Sequence, residues 1–206
     1  MQSRIPQRAV RSLPRGRSAT GRACAALLAA ASCFLPATAP GFELRSAATT
    51  REGPEYVLRI EAEFDAAPDR LLAVLTDYAR IHELHPRILE SRSLGTVAAA
   101  TEEVYSRFEA CVLVFCRTVH RVEHIRVAGD SLFANDVPGR GSFRSGRTEW
   151  HFTRQDGGTL LRYEARFVPA FTVAPILGPA VLTHAAKQMA IETMAEAERR
   201  AARSDD

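Results

Sequence analysis

Four histidines occur in two closely spaced pairs, which is a spacing that can bind a metal ion. His82 and His85 lie on a predicted short helix, and His120 and His124 lie on a predicted strand. A zinc site requires three or four ligands that are held by further hydrogen bonds, and no cysteine or carboxylate is found at matching spacing. We therefore expect no metal site, and we interpret these histidines as solvated or capping residues.

The two remaining histidines, His151 and His184, do not belong to a pair and are candidates for general acid–base catalysis. Each lies on the polar face of its predicted element, which is typical of solvent exposure. The residue types leave a Ser-His-Asp arrangement open, but the chain lacks the Gly-x-Ser-x-Gly signature of a nucleophile between strand and helix. The sequence favours a protein without a catalytic step and predicts no catalytic residue and no cofactor.

Cys111 and Cys116 are the two cysteines that would remain after removal of a leader peptide. In an exported chain, two cysteines favour a disulfide. On one straight strand they would point to opposite faces, whereas a hairpin between them would bring the two β-carbons to about 4 Å. We predict a disulfide that closes this hairpin; free thiols in the cytosol are the alternative.

The residues between the cysteines form an apolar segment, Val112-Leu113-Val114-Phe115. Hairpin tips normally contain glycine, asparagine or aspartate, and exposed apolar patches indicate contact surfaces. This predicts a tip that contacts a membrane or a hydrophobic partner. The alternative is that the segment folds inward under the first two helices and closes the core.

The first 39 residues have the layout of a secretory signal peptide. Residues 1–22 contain six arginines and no acid, residues 23–35 form an alanine-rich apolar run, and Ala37-Thr38-Ala39 offers a cleavage site. The apolar run is shorter than the about 20 residues that a membrane-spanning helix requires. We expect a periplasmic or secreted protein. Lipid attachment through Cys33 and import into an organelle are the alternatives.

The net charge of +3 comes from this leader. Six of the 27 basic residues lie in it, which leaves 21 basic against 24 acidic residues in the rest of the chain. A nucleic-acid-binding domain is expected to carry a basic excess. The composition therefore predicts no nucleic-acid partner.

The segment 40–54 contains glycine, proline, threonine and charged residues without a period, which favours a linker. The domain proper is predicted over residues 55–203. It begins with a strand ending at Phe64, in which apolar and charged residues alternate. Pro68 and Pro86 delimit two short helices after that strand.

Every segment between Ile88 and Pro169 has the pattern of a strand, and neighbouring strands with short turns form antiparallel sheets. An amphipathic helix over Pro175–Ala202 ends the chain. Its apolar face contains small residues with Met189 and Met194, so it cannot fill a deep core alone.

A single sheet has to bury its apolar face, and the C-terminal helix is the one element long enough to cover it. We predict an α+β fold in which a curved antiparallel sheet of about six to seven strands wraps around that helix. The polar face of the helix is predicted to carry His184, Glu192 and Glu198.

Four local motifs stand out in the predicted domain: Leu75-Thr76-Asp77-Tyr78, Phe143-Arg144-Ser145-Gly146 before Trp150, Gly158-Thr159-x-Leu161-x-Tyr163, and Pro175-Ile176-x-Gly178-Pro179. These motifs resemble bacterial members of the START-like superfamily, whose architecture is the helix-grip fold. The resemblance covers residues 55–202, and the superfamily includes polyketide cyclases and coenzyme Q-binding proteins. It implies a cavity between the sheet and the last helix for a lipid, sterol, isoprenoid or polyketide.

The predicted cavity is mostly apolar, with an arginine available for an acidic ligand headgroup. The candidate ligand-binding residues are Phe64, Arg144, Trp150, Phe152, Tyr163, Phe167, Met189 and Met194. The favoured hypothesis is an exported monomer that binds or carries an apolar small molecule. A polyketide aromatase/cyclase-type enzyme and an interaction module with a filled core are the alternatives.

Overall fold

The computed structural model describes residues 41–112, 115–173 and 178–203. The signal-peptide prediction, including Cys33, lies outside the described residues, and so does the predicted tip between the cysteines, apart from the backbone of its two ends. Among the described residues, no helix combines the length and the apolar character needed to cross a bilayer.

The described residues form one antiparallel sheet of eight strands in the spatial order β1-β2-β8-β7-β6-β5-β4-β3. The strands are β1 (Glu43–Glu52), β2 (Glu55–Phe64), β3 (Ile88–Ala98), β4 (Thr101–Val112), β5 (Phe115–Val127), β6 (Ser131–Asp136), β7 (Phe143–Gln155) and β8 (Gly158–Pro169). Helix α1 (Pro68–Thr76) and a 3-10 helix (Ile81–Leu84) connect β2 to β3, and helix α2 (Gly178–Arg203) follows β8. The predicted α+β, helix-grip fold is confirmed.

Strand β1 corrects the prediction of a linker over residues 40–54. It pairs with β2 along its length, from Glu43 opposite Glu63 to Glu52 opposite Glu55. Gly53 adopts a positive φ of 63° in the tight turn between them. The strand lies at the sheet edge with most of its residues exposed, so its sequence lacks the apolar alternation that marks a half-buried strand.

The core is built from strand positions whose alternation was visible in the sequence. The residue pair Ala62 on β2 and Leu161 on β8 is directly opposed, and both side chains are fully buried. From the helices, Leu71 of α1 and Met194 of α2 belong to the same apolar cluster. This packed region lies under the C-terminal half of α2.

Glu198 corrects the predicted polar face of α2, because its side chain is only 1% exposed. Its Oε1 accepts hydrogen bonds from the backbone N–H groups of Asp65 at 3.2 Å and Ala66 at 3.1 Å. These donors precede α1, and the Ala66 carbonyl accepts a bond from the Thr159 hydroxyl at 2.6 Å. The carboxylate thus joins α2 to the segment from which α1 begins.

Candidate ligand-binding site

A cavity of about 260 Å³ lies between the sheet and the N-terminal half of α2. Helix α2 contributes a mostly small-residue wall: Leu182, Ala185, Ala186, Met189, Ala190 and Thr193. The sheet and the segment after β8 contribute aromatic rings: Phe108, Phe143, Trp150, Tyr163, Phe167 and Phe171. Small side chains on the helix leave the space that these rings surround.

The aromatic rings contact one another around the cavity. The rings of Trp150 and Tyr163 lie edge to face with centroids 4.6 Å apart. The ring centroid of Phe143 lies 5.7 Å from that of Phe167 and 6.3 Å from that of Phe171, and both pairs are edge to face. Such pairs add stability beyond the area they bury, so the lining is held in place without a ligand.

A charged group stands in this otherwise apolar lining. Arg121 and Glu123 project from β5 into the cavity, with Nη2 of the arginine 3.0 Å from Oε1 of the glutamate. The Nε of Arg121 also donates to Oδ1 of Asp136 at 2.8 Å. The Oδ2 atom of Asp136 is buried and has no hydrogen-bond partner among the described residues.

Burial changes the acidity of the groups around this ion pair. Burial raises the pKa of Glu123 above its ordinary value, while the nearby charge of Arg121 acts in the opposite direction. Burial also raises the pKa of Tyr163 to about 12. The phenol is therefore a neutral hydroxyl near neutral pH, able to donate or accept a hydrogen bond.

Gly146 on β7 permits the buried ion pair to form. A Cβ added at this position would overlap Oδ2 of Asp136 and would lie 2.7 Å from Nη2 of Arg121. With any larger residue, the side-chain ends of Asp136 and Arg121 would have to shift. The glycine of the Phe143-Arg144-Ser145-Gly146 motif is thus explained by close approach.

Four of the eight predicted ligand-binding residues line the cavity, and they are Trp150, Tyr163, Phe167 and Met189. The other four do not. Phe64, Phe152 and Met194 are buried in the packed region under the C-terminal half of α2. Helical and strand periodicity identified the inward faces, but it could not show where along them the core ends and the cavity begins.

Arg144 is exposed and lies outside the lining. The predicted alternation placed it on the inner face of its strand, but the pairing register between β7 and β8 shifts between Phe143 and Ser145. Because of this bulge, Phe143 points into the cavity instead. The arginine that reaches the cavity interior is Arg121.

Sequence reasoning missed Arg121, Glu123 and Asp136. A signal was present, because Val119 and Ile125 frame Arg121 and Glu123 at alternate positions of one strand. Charged residues at such positions are normally interpreted as marking an exposed face. Only the three-dimensional pairing identifies them as inward.

The histidines have separate partners and do not converge on one site. His85 is buried, and each of its ring nitrogens has a partner. The backbone N–H of Arg87 donates to Nδ1 at 3.0 Å, and Oε2 of Glu192 lies 2.9 Å from Nε2. His120 and Ser142 form a contact of 3.4 Å, and His124 lies 3.3 Å from a glutamate of β4.

The candidate acid–base histidines lie away from the cavity. His184 is exposed on α2. His151 is exposed on β7, with Nδ1 3.1 Å from the Ser131 hydroxyl and Nε2 3.4 Å from Oε2 of Glu149. This line of serine, histidine and glutamate lies on a strand surface outside the lining of the described cavity.

The predicted disulfide between Cys111 and Cys116 is present in the structure. The two cysteines are directly opposed on β4 and β5, and Cys111 contributes to the cavity lining. Among the described residues, the one close group of three potential metal ligands consists of these cysteines and Glu109. Because the two sulfurs are bonded to each other, they are not available as thiolate ligands.

Comparison with known proteins agrees with this architecture. The family model for polyketide cyclase / dehydrase and lipid transport proteins matches residues 57–204, and no curated protein sequence matches the chain significantly. The chain belongs to this family. The predicted resemblance to the START-like superfamily is confirmed.

Solved structures show the same fold at low sequence identity. The Zhui aromatase/cyclase from a Streptomyces species has a TM-score of 0.61 at 14% identity, covering 74% of this chain and 96% of that one. A START superfamily protein from Mycobacterium smegmatis has a TM-score of 0.57 at 14% identity, and the match covers 72% of this chain and 98% of that one. A STAR-related lipid transfer protein from Xanthomonas axonopodis has a TM-score of 0.54 at 20% identity, and the match covers 78% of this chain and 98% of that one.

Proposed function

We propose that this member of the family is an exported monomer that binds or carries an apolar small molecule, without a catalytic step. The observation that carries the proposal is the cavity of about 260 Å³ between the sheet and α2. Its size is near the lower end of the about 300–1,000 Å³ typical of ligand pockets. The space also weighs against an interaction module with a filled core.

The ligand should carry a hydroxyl or carbonyl group at one end. An ion pair such as Arg121 with Glu123 is costly to bury unless hydrogen bonds satisfy its remaining donors and acceptors. Tyr163 stands in the same lining with a neutral hydroxyl. A hydroxyl or carbonyl of the ligand can bond to these groups while its apolar part meets the aromatic rings.

Export and membrane contact belong to the same proposal. The disulfide between Cys111 and Cys116 agrees with an oxidising compartment. We propose that the apolar tip Val112–Phe115 contacts the membrane at which the ligand is collected or released. Leu113→Asp combined with Phe115→Asp should abolish sedimentation with liposomes and leave the melting temperature nearly unchanged, whereas unfolding by the double change would mean that the tip is core.

Native mass spectrometry of the purified protein tests the ligand proposal. The expected result is a mass above that of the chain, which falls to the chain mass after organic extraction and releases an identifiable apolar compound. A chain that is purified repeatedly without any such compound, and that takes up none from a lipid extract, would contradict the proposal.

A cyclase-type enzyme is the second candidate. The observation in its favour is Glu123, a carboxyl group that lines the cavity and whose pKa is raised by burial, as a general acid requires. Under this reading Glu123→Gln should abolish turnover of a polyketide while leaving its binding intact. Under the binding-protein proposal, the unaltered chain converts no polyketide.

A further inference from the structure

Three exposed arginines lie at the end of the sheet where residues of β4, β7 and β8 line the cavity. Arg87 both lines the cavity and is exposed, so it lies at the opening. The guanidinium carbon of Arg117 lies 4.6 Å from the ring centroid of Phe171, which also lines the cavity. Arg144 is exposed and directly follows the lining residue Phe143 in the sequence, at the start of β7. We call these three arginines the arginine rim.

Strand pairing places the arginine rim at one end of the sheet. The backbone N–H of Glu109 on β4 donates to the Arg87 carbonyl, just before β3, at 2.8 Å. On the other side of β4, Ala110 is opposed to Arg117 of β5. Residue Phe143 begins β7 opposite Pro169 at the end of β8, and the Ala170 N–H binds the Ser142 carbonyl at 2.9 Å. Glu109 lines this part of the cavity too, so the rim with this glutamate carries a net charge of +2.

Arginines elsewhere on the domain are largely neutralised by carboxylates. Arg59 lies 2.7 Å from Glu164, and Arg166 contacts both Glu52 and Glu55 at 2.9 and 3.0 Å. Within the described part of the chain, none of the three rim arginines has a carboxylate within ion-pair distance. Their charge is therefore available to an external anion.

We propose that the arginine rim docks onto an anionic lipid bilayer, so that the opening of the cavity faces the membrane. The proposal rests on the proposed function, since a carrier of an apolar ligand has to load and unload at a bilayer. Guanidinium groups match phosphate headgroups geometrically. A lipid surface supplies phosphates and apolar molecules together, which suits a rim of cations around an apolar opening better than an acidic protein does.

Arg126 provides a matched control. It is exposed on the same strand as Arg117, near the opposite end, and its guanidinium carbon lies 4.8 Å from the ring centroid of Phe133. It too lacks a carboxylate partner among the described residues. Because nine residues of an unbroken strand separate them, the two arginines lie on opposite faces of the sheet, and Arg126 is an exposed arginine remote from the opening of the cavity.

The test is sedimentation of the oxidised whole chain with vesicles of phosphatidylcholine, alone or mixed with phosphatidylglycerol. The six arginines of residues 1–22 are changed to glutamine in every sample, so that the leader cannot supply the attraction. Each arginine near a bilayer strengthens binding about fivefold. Arg87→Gln, Arg117→Gln and Arg144→Gln should each weaken binding to the mixed vesicles by about that factor, and the triple variant by about a hundredfold.

Arg126→Gln should leave the binding unchanged, and added salt should weaken binding of the parent but not of the triple variant. Equal binding to neutral vesicles, equal loss in Arg126→Gln, or a folded triple variant that binds like the parent would each overturn the proposal. The single variants decide the matter if the triple variant does not fold. Ligand uptake by the parent, measured without vesicles, separates the two proposals. A parent that takes up no ligand refutes the proposed function. A parent that takes up ligand but does not bind the mixed vesicles refutes only the docking surface.

Discussion

The buried contact between Arg121 and Asp136 determines which residue can occupy the neighbouring position on β7. A methyl group at Gly146 would overlap Oδ2 of Asp136, and this oxygen already lacks a hydrogen-bond partner among the described residues. Arg121 would keep its contact with Glu123, but separating it from Asp136 would leave the buried carboxylate of Asp136 without its cation. Leaving a buried charge uncompensated is more costly than losing the attraction alone.

Gly146→Ala should therefore destabilise the fold by about 1–3 kcal/mol, through overpacking against a buried ion pair. Urea denaturation followed by circular dichroism measures the change. The adjacent Ser145→Ala is the control, because Ser145 is exposed, and it should alter stability by no more than about 0.5 kcal/mol. Equal stability of the two variants would mean that the ion pair tolerates displacement.

Glu198 is a second buried group with a defined consequence. Burial raises its pKa, mainly through desolvation, against the bonds it accepts from Ala66 and Asp65. A carboxyl group with a raised folded-state pKa favours folding when protonated, and this contribution is lost as pH rises from the unfolded pKa through the folded one. The charged form of Glu198 is thus the one that burial disfavours, and an amide at this position carries no such charge.

Glu198→Gln should consequently gain stability relative to the wild type as pH rises from about 4 to 7, because the amide oxygen can accept both backbone bonds without a charge. Glu198→Ala should lose about 1–3 kcal/mol, since two backbone donors lose their acceptor. Thermal melts across this pH range measure both. A stability difference between Glu198→Gln and wild type that shrinks as pH rises would contradict the assignment.

At the scale of elements, helix α2 has two halves with different partners. Met189 in the first half lines the cavity, whereas Met194 is fully buried among core residues. The two methionines are five residues apart on one helix. They allow the same substitution to be compared beside the cavity and in the packed core.

Met189→Trp should block ligand binding at little cost in stability, because the cavity can accept the ring. Met194→Trp should destabilise by about 1–3 kcal/mol or more, because no space is available for it. Thermal melts and ligand content, measured on both variants, separate these outcomes. If Met189→Trp unfolds the protein as readily as Met194→Trp does, the cavity is not present in solution.

Burial of one face explains why some strands could be predicted and β1 could not. Strands β2 and β8 were recognisable because one face of each meets the core and the other meets solvent. Strand β1 was not, because both of its faces are largely exposed and its sequence reflects ion pairs such as Arg45 with Glu63 at 2.6 Å. Polar edge strands have no periodic signal, so pairing alone identifies them.

At the scale of the whole molecule, we propose that residues 1–39 act as a leader that directs the domain to an oxidising compartment. Residues 1–39 concentrate arginine and alanine ahead of a small-x-small site. N-terminal sequencing of the protein from the cell envelope should therefore begin near Pro40. Recovery of full-length chain in the cytosol would refute export, and it would remove one support for the disulfide, although not the cavity.

The central claim is that the space between the sheet and α2 holds the ligand, and the single tryptophan of the chain reports on it directly. Trp150 lines the cavity beside Tyr163. The most direct measurement is quenching of Trp150 emission by acrylamide, before organic extraction of the protein, after it, and after the extracted compound is added back. We predict that extraction makes Trp150 more accessible to the quencher and that the compound restores protection at a stoichiometry of one. Identical quenching in the three samples, with the compound shown to bind, would place the ligand outside the cavity and contradict the account.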